Sequence, residues 1–256
     1  MKIAAVIPAR LSSSRFPRKV MCKIHGLPML EHVRRRALIC KGFSDVFVAT
    51  CDEEIAEMTA NFGGNFIMTS KDHINGTSRV SEAIKHIDCT HAVILQGDEP
   101  LILPRHIEFL LENIKNEPSV DTWNLIAELD SKSELNRHSF VKGAVNCAGN
   151  IMFCFRKSPF FSDFNIQSKI IKKLLGVIAF RKEFLLKFVD FEPTPIEKAE
   201  SIEQMRIIEN DMFVRGVLVS PSLPSVNEPD ELIEVVNLLD LDGEQKKYLD
   251  LILNDQ

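Results

Sequence analysis

The first hundred residues alternate between short apolar runs and amphipathic segments, and this alternation limits the fold more than any other feature. Residues 3–7 are apolar and end at Pro8, and residues 28–38 then place apolar side chains on one side of a predicted helix. Predicted strands and helices continue in turn at residues 45–50, 53–61, 65–69, 78–87 and 92–95. Such alternation predicts an α/β fold with a mostly parallel sheet and helices on both faces.

The middle of the chain has a different pattern. Residues 123–129 and 140–155 are rich in strand formers, with turn signals at Gly143 and at residues 148–150. We predict a mobile loop over residues 158–170. The remaining predicted elements are a strand at 174–180, a helical stretch at 195–210, a strand at 213–219, and helices at 230–239 and 244–253. We therefore expect one domain over residues 1–256, with a small β-rich lobe over about residues 120–190.

Charge and hydropathy exclude several classes of protein. The formal net charge of −5 argues against a nucleic-acid partner, because nucleic-acid binders carry an excess of basic residues. There is no apolar run of about 18 residues, so we expect no membrane span, and the apolar start is too short for a signal peptide. The six cysteines form no CxxC pair and no zinc spacing. Reduced thiols of a cytoplasmic enzyme are the expectation.

A basic loop follows the first predicted strand. Arg10, Arg15, Arg18 and Lys19 lie within ten residues, together with three serines at 12–14. Open α/β sheets bind ligands beyond the carboxyl ends of their strands, and a triphosphate needs this density of donors. The loop contains neither the G-x-x-x-x-G-K-[ST] motif nor G-x-G-x-x-G, so a P-loop and a Rossmann dinucleotide site are both disfavoured. The alternative is an ordinary basic surface loop.

An acidic turn follows the fourth predicted strand. Asp98 lies in the segment Gln96-Gly97-Asp98-Glu99-Pro100, at the tip of the apolar run. Magnesium prefers one or two carboxylates together with phosphate oxygens, so Asp98 is a candidate metal ligand beside a triphosphate. The alternative is a turn in which the aspartate has no ligand.

Four segments carry a resemblance to a known family. They are P-A-R-x-x-S-[ST]-R-x-P-x-K from Pro8 to Lys19, M-T-x-x-D-H-x-x-G-T-x-R from Met68 to Arg79, Q-G-D-E-P from Gln96 to Pro100, and P-x-E-x-x-E-x-x-E-Q-x-R from Pro195 to Arg206. Over residues 2 to 240 the chain resembles the 3-deoxy-manno-octulosonate cytidylyltransferases. The resemblance implies the nucleotide-diphospho-sugar transferase fold, a homodimer, and a place in lipopolysaccharide biosynthesis.

The resemblance also implies a reaction and a set of site residues. The anomeric hydroxyl of an acidic sugar would attack the α-phosphorus of CTP, with Mg²⁺ as cofactor. Catalytic roles would fall to Asp98, Lys19 and Arg15, and metal binding to Asp98 and Asn227. The other implied contacts are Arg10, Ser14, Arg15 and Lys19 with the phosphates, Asn75, Gly76 and Arg79 near the nucleoside, and Gln96, Glu203 and Gln204 with the sugar. His73 is the nearest candidate general base, although a structural role is the stronger interpretation.

The chain departs from the family pattern at four positions. Arg18 replaces a loop glycine, Asn227 replaces a metal-binding aspartate, and Leu174 and Ile178 replace a sugar-facing histidine and tyrosine. An amide oxygen can still bind magnesium, but without the charge. The apolar replacements favour a modified sugar acid as substrate. Two alternatives follow: a binding relative with reduced or lost catalysis, and a transferase that uses another nucleotide or a sugar phosphate.

Overall fold

The computed structural model describes residues 1–13, 15–160 and 162–254. The strands are, in chain order, β1 (Ile3–Ala9), β2 (Lys23–Ile24), β3 (Leu27–Pro28), β4 (Asp45–Thr50), β5 (Asn65–Met68), β6 (His91–Leu95), β7 (Thr122–Ala127), β8 (Lys142–Val145), β9 (Asn150–Phe155), β10 (Ile171–Arg181) and β11 (Val214–Val219). The helices are α1 (Met29–Ile39), α2 (Glu53–Asn61), α3 (Gly76–Ala83), α4 (Pro104–Asn116), α5 (Lys132–Asn136), α6 (Phe164–Ile170), α7 (Lys182–Phe188), α8 (Pro195–Glu200), α9 (Gln204–Glu209), α10 (Glu231–Leu241) and α11 (Gly243–Asn254). The chain divides into two compact units, Met1–Leu111 with Leu223–Gln256, and Glu112–Ser222.

The first unit is built on a parallel sheet with the strand order β5-β4-β1-β6. From β1 the chain passes through α1, β4 and α2 to the edge strand β5, and it then returns through α3 to β6 on the other side of β1. Because crossovers between parallel strands are right-handed, α1 and α2 lie on one face of the sheet and α3 on the other. The predicted mostly parallel sheet with helices on both faces is confirmed.

The carboxyl-terminal helices complete the core of the first unit. Val235 and Leu239 of α10 and Leu249 and Ile252 of α11 are buried in one cluster with apolar residues of the β2–β3 region and α1. Val226 belongs to the same cluster and is fully buried. Burial of these side chains holds the segment just before α10 against the remainder of the unit.

The second unit contains a mixed sheet with the order β10-β7-β11-β9-β8, in which β10 also pairs with β8. Strands β7 and β11 are parallel, whereas β10–β7, β11–β9 and β8–β9 are antiparallel. A separate apolar cluster, which includes Leu135, Phe155 and Ile171, packs within this unit. The expectation of one domain with a β-rich lobe stays a prediction.

Gly143 was expected at a turn, and this expectation is wrong. The residue lies inside β8, where a Cβ atom would come within 2.9 Å of both Ile151 Cγ2 and Leu174 Cδ1. The glycine is therefore required by close packing between strands, which a sequence pattern cannot distinguish from a turn.

Two other predicted segments differ from the structure. The expected loop at 158–170 contains α6, because Asp163 caps its first turn by accepting from Ile166 N at 3.1 Å, while Phe161 lies outside the described residues. The helical stretch at 195–210 forms two helices, α8 and α9, because Ser201 adopts a left-handed conformation with φ of 53°. Helices α4, α5 and α7 were not predicted.

His32 makes the stability of the first unit pH-dependent. Its fully buried ring donates from Nε2 to Ile24 O at 2.9 Å, and burial lowers its pKa from 6.5 to about 4. Between these pH values the unfolded chain binds a proton that the folded chain does not, so stability falls as pH falls. We expect a loss of about 2 kcal/mol in unfolding free energy between pH 7 and pH 5. Urea titrations at several pH values measure it, with His32→Gln as the non-titrating control that retains a donor. Equal pH slopes for both proteins would contradict the assignment.

Candidate active site

The candidate site lies at the carboxyl ends of β1 and β6, around a pocket of about 280 Å³. The chain leaves β1 in one direction across the sheet, whereas β6 lies on the other side of β1, so this edge is a topological switch point. The lining residues are Pro8, Ala9, Arg10, Ser12, Ser13, Arg15, Lys19, Val20, His73, Asn75, Gly76, Arg79, Gln96, Gly97 and Asp98. The predicted basic loop and the predicted acidic turn therefore meet in one pocket.

The basic loop is tied to the first turn of α2. Leu11 N donates to Asp52 Oδ2 at 2.8 Å, and Arg18 N donates to Leu11 O at 2.9 Å. The Arg18 guanidinium forms an ion pair with Glu54. Arg18 has φ of 58°, in the left-handed region that favours glycine, which accounts for the family's glycine at this position. Ser14, a predicted phosphate contact, lies outside the described residues.

Lys19 and Asp98 form an ion pair inside the pocket. Lys19 Nζ lies 2.5 Å from Asp98 Oδ2, and the two side chains are only 12% and 25% exposed. Gly97, the residue before Asp98, packs beside Val20 and Leu30, where a Cβ would lie 3.4 Å from a side-chain atom of each. Two of the three predicted catalytic residues are therefore in direct contact.

Asn227 reaches the same site from the segment before α10. Val226 N donates to Asp98 O at 2.9 Å, which holds the two predicted metal ligands in adjacent segments. Asn227 Nδ2 donates to Ser225 Oγ at 3.0 Å, and Asn227 Oδ1 accepts from Arg15 Nη2 at 3.3 Å. The amide therefore turns its oxygen, the atom suited to a hard cation, toward Arg15.

The donor set fits magnesium with substrate oxygens as further ligands. Among the described residues, no group of three or more His, Cys, Asp or Glu side chains could hold a metal ion by itself. One carboxylate from Asp98 and one amide oxygen from Asn227 are hard ligands of the kind that Mg²⁺ uses together with phosphates. Magnesium binding by these two residues stays a prediction.

The predicted nucleoside contacts lie at the start of α3. Asn75 caps the helix by accepting from Ser78 N at 2.8 Å. Gly76 lies so close to β1 that a Cβ would be 3.0 Å from Pro8 Cγ. Arg79 is buried and donates to Thr69 Oγ1 at 2.5 Å and Ser70 O at 3.2 Å. All three residues line the pocket, and their contact with a nucleoside stays a prediction.

His73 lines the pocket but is engaged by an acid. Its Nε2 is hydrogen-bonded to Glu82 on α3, and this hydrogen bond is the main reason that the pKa of Glu82 is lowered. This contact is the kind that a structural role for His73 would produce.

The three predicted sugar contacts belong to two different units. Gln96 lines the pocket of the first unit, next to Gly76. Glu203 and Gln204 lie at the start of α9 in the second unit, where Gln204 Nε2 donates to Asn124 Oδ1 at 2.8 Å. Their contact with a sugar stays a prediction.

Sequence reasoning missed Asp52 and Glu54, the two acids at the start of α2 that hold the basic loop. Asp52 stands at the N-cap position of the helix, yet its side chain bonds Leu11 N of the loop and not the helix itself. A signal was present, since Asp52 follows the strand at 45–50 whose carboxyl end lies beside that of β1. Ser12 and Ser13 were included only as part of the loop, and both line the pocket.

An open α/β sheet with a cation-lined pocket at its switch point suits an anionic ligand such as a nucleotide. Similarity to known proteins makes the chain a nucleotidyltransferase with the nucleotide-diphospho-sugar transferase fold. The family model described as cytidylyltransferase matches residues 4–215. The chain belongs to the 3-deoxy-manno-octulosonate cytidylyltransferase family.

Individual relatives support this assignment over nearly the whole chain. A 3-deoxy-manno-octulosonate cytidylyltransferase of Geobacter metallireducens is 36% identical, covering 93% of this chain and 98% of its own. One from Escherichia coli is 35% identical, covering 93% of this chain and 96% of its own. A solved structure of CMP:2-keto-3-deoxy-manno-octonic acid synthetase complexed with CTP superposes with a TM-score of 0.88 at 34% identity, covering 94% of this chain and 99% of that one.

Among the described residues, none of the helices combines the length and the hydropathy that a membrane span requires.

Arg15→Ala tests the phosphate role of the basic loop. Arg15 is exposed, and within the described residues its side chain donates to the Asn227 amide at the surface, so the substitution leaves the core intact. We expect CTP to bind about 10-fold more weakly or worse, since a charge-assisted hydrogen bond contributes about 1.5–3 kcal/mol. Calorimetric titration with CTP measures this, and Lys41→Ala, remote from the pocket lining, is the charge-matched control. Unchanged CTP affinity would contradict the assignment.

Proposed function

We propose that the chain transfers CMP from CTP to a 2-keto-3-deoxy sugar acid, with Mg²⁺ as cofactor, and releases pyrophosphate. The observation that carries the proposal is the Lys19–Asp98 ion pair at the switch point, surrounded by further cations from Arg10, Arg15 and Arg79. The names of the relatives, and the CTP in the related structure, support the two substrates.

The proposed phosphate site uses charges of different kinds. Arg10 and Arg15 are exposed at the mouth of the pocket, and the guanidinium group of each can form paired hydrogen bonds with phosphate oxygens. Lys19 is a more buried point charge, so its attraction for phosphate is less screened by water. Arg79 is held by Thr69 and Ser70, which makes it a fixed cation beside the proposed nucleoside site.

Asp98 and Asn227 are the residues that would hold magnesium. When bound, Mg²⁺ neutralises charge on phosphate oxygens and makes the α-phosphorus easier to attack. The Lys19 ammonium contacts Asp98 at 2.5 Å, so the Asp98 side chain is oriented before substrate arrives.

In the proposed reaction, the sugar hydroxyl oxygen bonds to the α-phosphorus of CTP. The bond from that phosphorus to the bridging oxygen breaks, pyrophosphate leaves with the electron pair, and the hydroxyl proton passes to solvent. Most of the rate enhancement comes from positioning and charge stabilisation, since phosphoryl transfer asks little covalent chemistry of the protein. Lys19 and Arg15 hold the phosphates in line, and His73, paired with Glu82, is not assigned as a base.

The acceptor is proposed to be 3-deoxy-manno-octulosonate or a modified relative. Leu174 and Ile178 lie on β10 with 8% and 9% exposure, and they replace the histidine and tyrosine of the family pattern. An apolar strand offers no partner to a sugar hydroxyl, so a hydroxyl that faced it would lose hydrogen bonds. A deoxy, amino or acylated acid suits this strand better.

Pyrophosphate release tests the function directly. CTP, UTP, ATP and GTP are each supplied with Mg²⁺ and with unmodified, amino, deoxy and acylated 2-keto-3-deoxy acids. The proposal requires release with CTP and at least one acid, with a lower kcat/KM for the unmodified sugar than for a modified one. Binding of CTP without release from any acid would favour a relative that has lost catalysis, and release with another nucleotide in preference to CTP would overturn the nucleotide assignment.

Three further properties are proposed from the resemblance. They are a homodimer, a cytoplasmic location and a role in lipopolysaccharide biosynthesis. Sedimentation of the purified protein addresses the first, and fractionation of the source cells the second.

Asp98→Asn is expected to abolish turnover without unfolding the protein. The amide retains the shape of the side chain but loses the charge that pairs with Lys19 and would hold the metal. We expect at least a ~100-fold fall in kcat, the scale seen for loss of a key electrostatic group. Rate assays with CTP and acceptor measure kcat, while circular dichroism and the melting temperature check the fold. Near-normal turnover would remove the metal assignment.

Asn227→Asp is expected to be tolerated and to lower the magnesium concentration needed for half-maximal rate. The change restores a second carboxylate beside Asp98, and Arg15 remains as a neighbouring cation. Magnesium titration of the initial rate, and calorimetry of Mg²⁺ binding to the CTP complex, both report the effect. A weaker magnesium response with a raised sugar KM would show that the new carboxylate repels the sugar acid.

A further inference from the structure

Asn124, on β7 of the second unit, is a fully buried amide that was not among the predicted site residues. Its Nδ2, which has two hydrogens to donate, lies within hydrogen-bond distance of three backbone carbonyls, Leu125 O at 2.8 Å, Leu175 O at 3.0 Å and Val177 O at 3.2 Å. The last two belong to the irregular part of β10, where the pairing with β7 shifts register between Leu174 and Ile178. Asn124 therefore stabilises the bulge of the strand that carries the two apolar replacements.

These three carbonyls determine which way the Asn124 amide points. A carbonyl oxygen can only accept a hydrogen bond, so the NH₂ group must face Leu125, Leu175 and Val177. The flipped amide would place Oδ1 against three acceptors in a buried site, which is costly. Oδ1 is thereby directed to the remaining neighbour, Gln204.

The orientation of Asn124 in turn determines that of Gln204. Asn124 Oδ1 can only accept, so Gln204 must offer its Nε2, at 2.8 Å, and turn its carbonyl oxygen Oε1 away. The two residues that follow Gln204 also hold the start of α9 in place. Met205 Sδ accepts from Cys154 N at 3.1 Å, and Arg206 Nε donates to Glu197 at 2.7 Å. Helix α9 therefore presents Gln204 in one position and one orientation.

We infer that Asn124 is a positioning residue that makes Gln204 Oε1 a hydrogen-bond acceptor for a hydroxyl or amino group of the acceptor sugar. The inference rests on the proposed function, in which Gln204 contacts the sugar. A sugar that brings a donor to Gln204 is preferred, and one that brings an isosteric group without a donor is rejected. The three backbone carbonyls thus orient the Asn124 amide, Asn124 orients the Gln204 amide, and Gln204 determines whether the sugar must bring a donor.

The test uses sugar analogues that differ in donor capacity but little in size. Each hydroxyl of the 2-keto-3-deoxy-octonic acid is replaced in turn by fluorine, which cannot donate, and by an amino group, which can. At the contacted position, kcat/KM of the wild type falls roughly 10-fold with fluorine, the scale of one lost hydrogen bond, and is largely retained with the amino group.

Two variants break the proposed chain of hydrogen bonds at different links. Gln204→Met removes the acceptor from a half-buried helix position, and Asn124→Leu removes the orienting amide from the core. Both are expected to raise the sugar KM and to erase the difference between fluorine and hydroxyl, with the KM for CTP unchanged. Asn210→Ala, at the exposed end of the same helix, is the control and retains the wild-type values. Circular dichroism and melting establish that each variant is folded. Asn124→Leu removes a buried donor that three carbonyls share, so Gln204→Met decides the outcome if the Asn124 variant unfolds.

The outcomes separate this inference from the function on which it rests. If the wild type releases no pyrophosphate from CTP with any of these acids, the proposed function and the inference both fail. If the wild type turns over but Gln204→Met keeps the wild-type ratio of fluoro to hydroxyl substrate, the inference alone is overturned. A wild-type preference that disappears in Gln204→Met and persists in Asn210→Ala supports it.

Discussion

Strand β1 pairs in parallel with β4 on one side and with β6 on the other, and all of its residues from Ile3 to Ala9 are buried. Because parallel strands end at the same edge of a sheet, this double pairing brings Ala9, Thr50 and Leu95 to one edge of the first unit. The segments that follow them supply the basic loop, the acid that anchors it, and the turn with Asp98. The pocket is a consequence of this pairing.

Charge at the pocket is arranged before any substrate binds. Lys19 and Asp98 neutralise each other at 2.5 Å, while Arg10 and Arg15 remain exposed to solvent. A net acidic chain therefore concentrates cations where an anionic substrate is expected. The carboxyl-terminal helices contribute as well, because burial of Val226 among α10 and α11 holds Asn227 next to the Asp98 segment.

In the second unit, hydrogen bonds between neutral groups orient the predicted sugar contact Gln204, whereas charged side chains dominate the pocket of the first unit. Asn124, Gln204 and the carbonyls of the β10 bulge form a short network of neutral groups in which every orientation follows from the previous one. At the proposed sugar site such a network would discriminate between ligands by donor and acceptor, since an unmatched polar group near a buried amide is costly.

The amino-acid sequence by itself determined the parallel α/β sheet, the basic loop, the acidic turn and the family. Each of these is a local pattern: an apolar run with its period, a cluster of like charges, or a motif of fixed spacing. It did not determine that Gly143 packs inside a strand, that residues 195–210 break at Ser201, or that Asp52 bonds Leu11 N in preference to its own helix. Nor did it indicate Asn124, whose role depends on carbonyls 51 and 53 residues away in the chain. These features were decided by tertiary structure, because close packing and the direction of a hydrogen bond depend on neighbours that only the folded chain brings together.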